Sequence, residues 1–269
     1  MILTLKYIAL AVLQGLTEFL PVSSSGHLVL LGSAFGFSGD ENLALGVLLH
    51  AGSLAAIVTF YFSTLIGFFK KEQFKLLLMV IIGSVPAGVA GVTLELTGVN
   101  TALFENPAAV GLAFWITATV LRMTSKPKLC AKCEPVELKN ITLRQALIVG
   151  FSQAIAILPG ISRSGSTIAS GVLCGIKRED AATFSFLLAT PAICGAILLE
   201  LIKVYKHGVV LQGQVLPLVV AVVVSAAVSY GALRLLVNIV KKGKLAWFSW
   251  YLYVAGAICC LLAFKGMFR

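Results

Sequence analysis

A chain of 269 residues that is 59% hydrophobic and only 12% charged falls far below the roughly 25% charged residues of a soluble domain, which excludes a water-soluble globule and points to an integral membrane protein. Its formal charge of +10 reads as a topology signal from basic loops, so no nucleic-acid partner is expected. No hydrophilic block is long enough to fold apart, and residues 1–269 are expected to form a single polytopic membrane domain.

In chain order, elements follow from the roughly 20 apolar residues that a helix needs to cross a bilayer. The first apolar run, at about 6–20, is too short for that and meets Gln14 and Glu18 before any small-residue cleavage site, so no removable signal peptide is expected. It ends in Leu20-Pro21-Val22-Ser23-Ser24-Ser25-Gly26-His27, and a second short run follows at about 27–37. Three stretches of spanning or near-spanning length come next, at roughly 43–69, 76–97 and 107–123. The polar loop after them, about 124–144, carries Cys130 and Cys133, a C-x-x-C without the second pair or nearby histidine of a zinc site. Cys174, Cys194, Cys259 and Cys260 lie in apolar segments and read as small hydrophobes.

The pattern then recurs. Short runs at about 145–158 and 165–176 flank Leu158-Pro159-Gly160-Ile161-Ser162-Arg163-Ser164-Gly165-Ser166-Thr167, and spans follow at roughly 181–202, 215–238 and 245–264. The chain therefore reads as an all-α membrane protein made of two copies, about 1–123 and 145–269, each a re-entrant helical hairpin plus three transmembrane helices. An odd number of spans turns the second copy upside down, an inverted-topology repeat. Broken helices in such folds meet near the midplane, where irregular backbone is tolerated because it lines a cavity. With the N-terminus outside, the outer face receives only Lys6, Lys203, Lys206, Lys265 and Arg269, and most loop Lys and Arg fall inside.

Arg163 is the basic residue that this topology does not explain. An arginine at membrane depth is costly and by default marks a function. Ser162, Ser164, Ser166 and Thr167 surround it, while Gly160 and Gly165 let the backbone turn tightly and approach a ligand. Together with the free N–H groups of a starting helix, these donors suit an anion, above all a phosphate or pyrophosphate. The bland alternative is a Ser/Gly-rich packing contact in which Arg163 pairs with a carboxylate or backbone carbonyls.

The first tip adds reactive groups. His27 can move a proton or act as a nucleophile, and Ser24, on the same helical face, is a candidate nucleophile. Glu18 can orient the imidazole or hold a divalent cation, and Ser23 and Ser25 add hydroxyls for a substrate. His50 is a weaker candidate, as readily a satisfied interior histidine. His207, Asp40, Glu41, Glu179 and Asp180 read as loop residues.

These residues, from "LQGLTEFLPVSSSGHLV" through "LPGISRSGSTIASG" to "FSFLLATPA", resemble the undecaprenyl-pyrophosphate phosphatase family of the bacitracin-resistance type over nearly the whole chain. The resemblance implies removal of the terminal phosphate from undecaprenyl pyrophosphate, regenerating a carrier lipid for cell-wall polymer synthesis, and bacitracin resistance. It also implies a plasma-membrane location with the site mouth toward the outer face. The implied partners are a polyprenyl pyrophosphate lipid, membrane lipids and a second copy of the chain as a homodimer.

By motif the resemblance makes Glu18, Ser24, His27 and Arg163 catalytic, with Ser162, Arg163 and Thr167 gripping phosphate. Whether serine or histidine attacks phosphorus stays open. It further implies a divalent cation, Mg²⁺ or Ca²⁺, held at Glu18 and Gln14, although Gln14 stands where the family usually has a glutamate and brings no charge. The rival is a transporter or flippase for an anionic lipid, which shares the inverted repeat but has no need of the Glu18, Ser24 and His27 cluster. Acid-phosphatase-like lipid phosphatases are a poorer match, because no second histidine follows Ser162-Arg163 at the spacing they use.

Overall fold

The computed structural model describes residues 2–37, 39–70, 73–97, 107–126, 134–207 and 215–264. Cys130 and Cys133 lie outside the described residues, as do the side chains of Asp40 and His207. The described helices are α1 (Ile2–Phe19), α2 (Ser24–Ala34), α3 (Gly39–Phe60), α4 (Phe62–Gly67), α5 (Phe74–Thr97), α6 (Pro107–Met123), α7 (Leu143–Ile155), α8 (Arg163–Leu173), α9 (Arg178–His207), α10 (Val215–Lys241) and α11 (Phe248–Phe264). Extended pairing among them is limited to one isolated bridge, Val136 with Ile176. α1, α5, α9, α10 and α11 are long and apolar enough to cross a membrane, α11 together with the turn Leu245–Trp247 that leads into it. The chain is a multi-pass, all-α membrane protein.

Two expected boundaries move. α1 starts at Ile2 and reaches spanning length, where the sequence predicts a half-span from about residue 6. Lys6 does not interrupt it, because its Nζ donates to Phe35 O at 2.5 Å and lies over the Phe35 and Phe37 rings. The span expected over about 43–69 is divided at Tyr61, whose dihedrals (φ −101°, ψ 20°) leave the helix between α3 and α4.

Each half is completed by the other. α1 packs on α10 and α7 on α5; α3 packs on α10 and α9 on α5. α2 lies against α1 and α3 as α8 lies against α7 and α9, while α3 with α9 and α6 with α11 join the halves directly. Most of these helix contacts map onto one another when α1, α2, α3, α5 and α6 are exchanged for α7, α8, α9, α10 and α11, while those of α6 with α8, α1 with α3 and α9 with α10 have no counterpart of comparable extent among the described residues. Because α1 and α7 each pack on a helix of the opposite half, neither half alone buries all of its apolar faces. Small and hydroxyl residues make this close packing possible in place of a hydrophobic drive that lipid cannot supply: Ser225 Oγ donates to Leu49 O at 2.9 Å, and Ser53 and Ser229 share a hydrogen bond of 3.0 Å between α3 and α10. The core centres on α9, where Phe184, Phe186 and Leu188 are fully buried. Apolar side chains such as Ile81, Val85 and Val89 face outward on α5, where lipid rather than water suits them.

Candidate active site where two helix breaks meet

Both breaks contain a Leu-Pro, Leu20-Pro21 after the end of α1 and Leu158-Pro159 after the end of α7, and proline has no N–H to continue a ladder. At the first, Ser23 takes φ +69°, the one positive φ among described non-glycine residues, and its Oγ accepts from Gly26 N at 3.4 Å at the start of α2. At the second, Gly160 takes φ +87°, and a Cβ there would lie 2.6 Å from Val110 O, so the turn requires glycine. Ser162 then caps α8, its Oγ accepting from Gly165 N at 3.0 Å. The two tips thus share one local plan, Ser23-Ser24-Ser25-Gly26 and Ser162-Arg163-Ser164-Gly165. Ser24 and Arg163 are the first helical residues of α2 and α8.

The tips touch. Ser164 Oγ donates to Leu20 O at 3.2 Å, and a Cβ on Gly165 would come within 3.2 Å of Pro21 Cβ. α6 clamps the second tip through Thr117, whose hydroxyl accepts from Ser162 N at 3.1 Å and donates to Gly160 O at 3.4 Å.

Between them sits Glu18, 6% exposed. Its Oε1 accepts from Arg163 Nη2 at 2.5 Å, and its Oε2 accepts from Ser24 Oγ at 2.6 Å and from Gln14 Nε2 at 3.0 Å. His50 Nε2 lies 3.1 Å from the same Oε2, while its Nδ1 lies 2.6 Å from Gly46 O. A carbonyl and a carboxylate only accept, so both His50 nitrogens donate, and these are the contacts of an imidazolium. A carboxylate this buried needs such partners, since an unpaired charge away from water costs several kcal/mol. The equivalent first residues of two pseudo-equivalent helices therefore hold the two oxygens of one carboxylate, Ser24 on Oε2 and Arg163 on Oε1. Arg163 Nη1 and Gln14 Oε1 are buried and without a hydrogen-bond partner.

His27 stands apart from this cluster. Its Nδ1 lies 2.8 Å from Ser23 O and its Nε2 2.6 Å from Tyr251 Oη on α11. Among the described contacts Glu18 orients Ser24 and His50, and His27 meets Tyr251 and Phe114 instead. Ser25 meets Ser23 through their hydroxyls at 3.3 Å, and Ser166 is half-buried in α8. The Thr167 hydroxyl is committed to helix packing, donating to Arg163 O at 2.7 Å and lying 2.5 Å from Ser185 Oγ on α9.

Two contributors, Thr117 and Tyr251, escape the sequence reading, and His50 enters it only as a weaker candidate. His50 carries one readable signal, an imidazole inside an apolar span. Thr117 and Tyr251 carry none, since a threonine in a membrane helix and a tyrosine in an aromatic run have many ordinary reasons.

For a divalent cation at Glu18 and Gln14 the donor set is a poor fit. Both Glu18 oxygens already receive hydrogen bonds, one from a guanidinium, and the Gln14 amide turns its NH₂ toward the carboxylate. Gln14 Oε1 is the one uncommitted oxygen of that pair, against the six or more that Mg²⁺ or Ca²⁺ takes. No group of three or more His, Cys, Asp or Glu among the described residues is placed to hold a metal. No chemical step below is routed through one.

The family model described as Bacitracin resistance protein BacA matches residues 7–258. A protein named undecaprenyl-diphosphatase in Halothermothrix orenii is 39% identical over 260 residues, covering 96% of this chain and 97% of its own. One of the same name in Carboxydothermus hydrogenoformans is 38% identical with the same coverage. Another, in Methanosphaera stadtmanae, is 35% identical over 281 residues, 96% of this chain and 98% of that one.

Proposed function

Because the chain belongs to the bacitracin resistance protein BacA family, we propose that the Glu18 cluster is where it hydrolyses undecaprenyl diphosphate to undecaprenyl phosphate and inorganic phosphate. The enzyme is a membrane-embedded phosphatase that acts on a phosphoric anhydride. The product is a carrier lipid returned to cell-wall polymer synthesis.

One observation carries the assignment of roles. Arg163 bonds Glu18 with one terminal nitrogen and leaves the other, Nη1, buried and unpartnered beside the starts of two helices. A terminal phosphate arriving there meets the free half of the guanidinium fork and the N–H groups of α2 and α8. As Arg163 turns toward the phosphate, Glu18 loses one of its two cationic partners and becomes a better base for the Ser24 hydroxyl, 2.6 Å away. Ser24 Oγ then bonds to the terminal phosphorus, its proton passes to Glu18, and the bond from that phosphorus to the bridging oxygen breaks. Undecaprenyl phosphate leaves with the bridging oxygen. Water next attacks phosphoserine, giving its proton to His27 Nε2 as the Tyr251 hydroxyl turns off that nitrogen, while Glu18 returns its proton to Ser24 Oγ and inorganic phosphate departs. Serine is favoured over histidine as nucleophile because only Ser24 stands within hydrogen-bond reach of the base.

Rapid quenching in SDS near neutral pH of the enzyme with terminally ³²P-labelled lipid diphosphate, followed by acid treatment of one half of each sample, tests this order. Label is expected on Ser24 and absent from Ser24→Ala, while acid-labile label on His27 would reverse the two roles.

The cation belongs to the same proposal only through position 14. Gln14→Glu would set a second carboxylate four residues from Glu18, one helical turn away, and is expected to lower the half-saturating Mg²⁺ or Ca²⁺ concentration for phosphate release several-fold. Superimposable titrations of parent and variant would show that position 14 does not meet the ion.

In the membrane, the two halves insert with opposite orientations, and the N-terminus and site mouth face outward from the plasma membrane. The supporting observation is the basic loop content on one side together with the exchange of helix contacts. In a Cys-free background, a cysteine near position 100 should react with an impermeant maleimide in intact cells, and one between 126 and 139 only after the membrane is opened. Equal labelling would sink the orientation, because α6 alone separates the sites. A homodimer would show as twice the chain mass by light scattering in detergent.

A further inference from the structure

We propose that Tyr251 is a positioning residue for His27, holding the imidazole so that Nε2 is its proton-accepting nitrogen. The proposal rests on the hydrolase reading above and on four observations. His27 Nδ1 lies 2.8 Å from Ser23 O, a carbonyl that can only accept, so the proton of a neutral ring sits on Nδ1. Nε2 is then the acceptor, and the Tyr251 hydroxyl, 2.6 Å away, donates to it. The two rings are stacked at 5.7 Å with 12° between their planes, and the Phe114 ring lies 5.2 Å from the imidazole, tilted by 35°. Hydrogen bond and stack together hold both the rotation and the tautomer of the ring.

The pairing also fills a departure from the symmetry of the fold. α8 packs along α6, yet the equivalent helices α2 and α11 are not packed side by side. His27 and Tyr251 bridge them instead, with Tyr251 half exposed. A side-chain bridge across loosely packed helices contributes little to the core, so its removal should be felt at His27 rather than in folding. Ser23, which supplies the carbonyl, is itself held at φ +69°. The left-handed turn therefore aims that carbonyl, the carbonyl sets the tautomer, and Tyr251 receives the opposite nitrogen.

The test uses full-length protein in detergent, with ¹⁵N-labelled histidine spectra assigned by His27→Ala and with phosphate release from a polyprenyl diphosphate. In the parent, His27 is expected as the Nδ1–H tautomer. Tyr251→Phe, which keeps the ring stack and deletes only the hydroxyl, is expected to move the His27 Nε2 resonance. It should lower kcat about tenfold, the size of one hydrogen bond, and leave KM within about twofold. An Nε2–H tautomer in the parent overturns the proposal whether or not the variant folds. So does an unchanged kcat, or a loss carried wholly in KM, which would make Tyr251 a substrate contact. Phosphate release by the parent is the control: its failure would count against the hydrolase reading, whereas the spectrum judges Tyr251 alone.

Discussion

Glu18→Gln is expected to lower phosphate release by about 10³-fold, the loss typical of a removed general base. The amide can still occupy the volume and meet Ser24, but it cannot take the serine proton. The substitution also leaves Arg163 and His50 without their carboxylate in a site where Glu18 is 6% exposed. Stranding a buried cation costs about 3–5 kcal/mol, so some loss of folded yield is expected as well. Activity is therefore normalised to monodisperse protein, and Ser24→Ala serves beside it, since trimming one hydroxyl leaves both cations paired. If folded Glu18→Gln keeps more than a tenth of the parent rate, Glu18 is an anchor for Arg163 and not the base.

Arg163→Lys is expected to cost about 10²- to 10³-fold in kcat, the range for deleting a preorganised donor to developing charge. The guanidinium bridges two tasks at once, with Nη2 on Glu18 Oε1 at 2.5 Å and Nη1 unpartnered toward the tips. An ammonium is a single point of charge. It can neutralise Glu18 or meet the phosphate, and it lacks the planar fork that does both. Lysine keeps the formal charge, so the buried carboxylate stays compensated and the fold should be retained. A lysine variant with near-parental turnover would reduce Arg163 to an electrostatic presence, and the idea that phosphate binding frees Glu18 would go with it.

His50 shows how a bland reading and a functional one can coexist. It is a satisfied interior histidine, bonded to Gly46 O, and it is also a partner of Glu18. Thr167 runs the other way, since the motif makes it a phosphate grip and the fold spends its hydroxyl on Arg163 O and Ser185. A motif lists residue types, and each type has more than one way to satisfy its hydrogen bonds.

The sequence by itself determined the membrane setting, most of the spans, the two Leu-Pro breaks and the chemistry present at each. All of these follow from interactions within a few residues: hydropathy over a helix length, the missing N–H of proline, a serine capping the helix that follows it. α1 is longer than the apolar run from about residue 6, because the helix starts at Ile2. Tertiary structure alone decided which groups meet. Glu18 and Arg163 are 145 positions apart and His27 and Tyr251 are 224 apart, and no local signal couples them. They come together because α1 and α7 each pack on a helix of the opposite half, which brings the first residues of α2 and α8 to the same carboxylate and swings the imidazole of α2 toward α11.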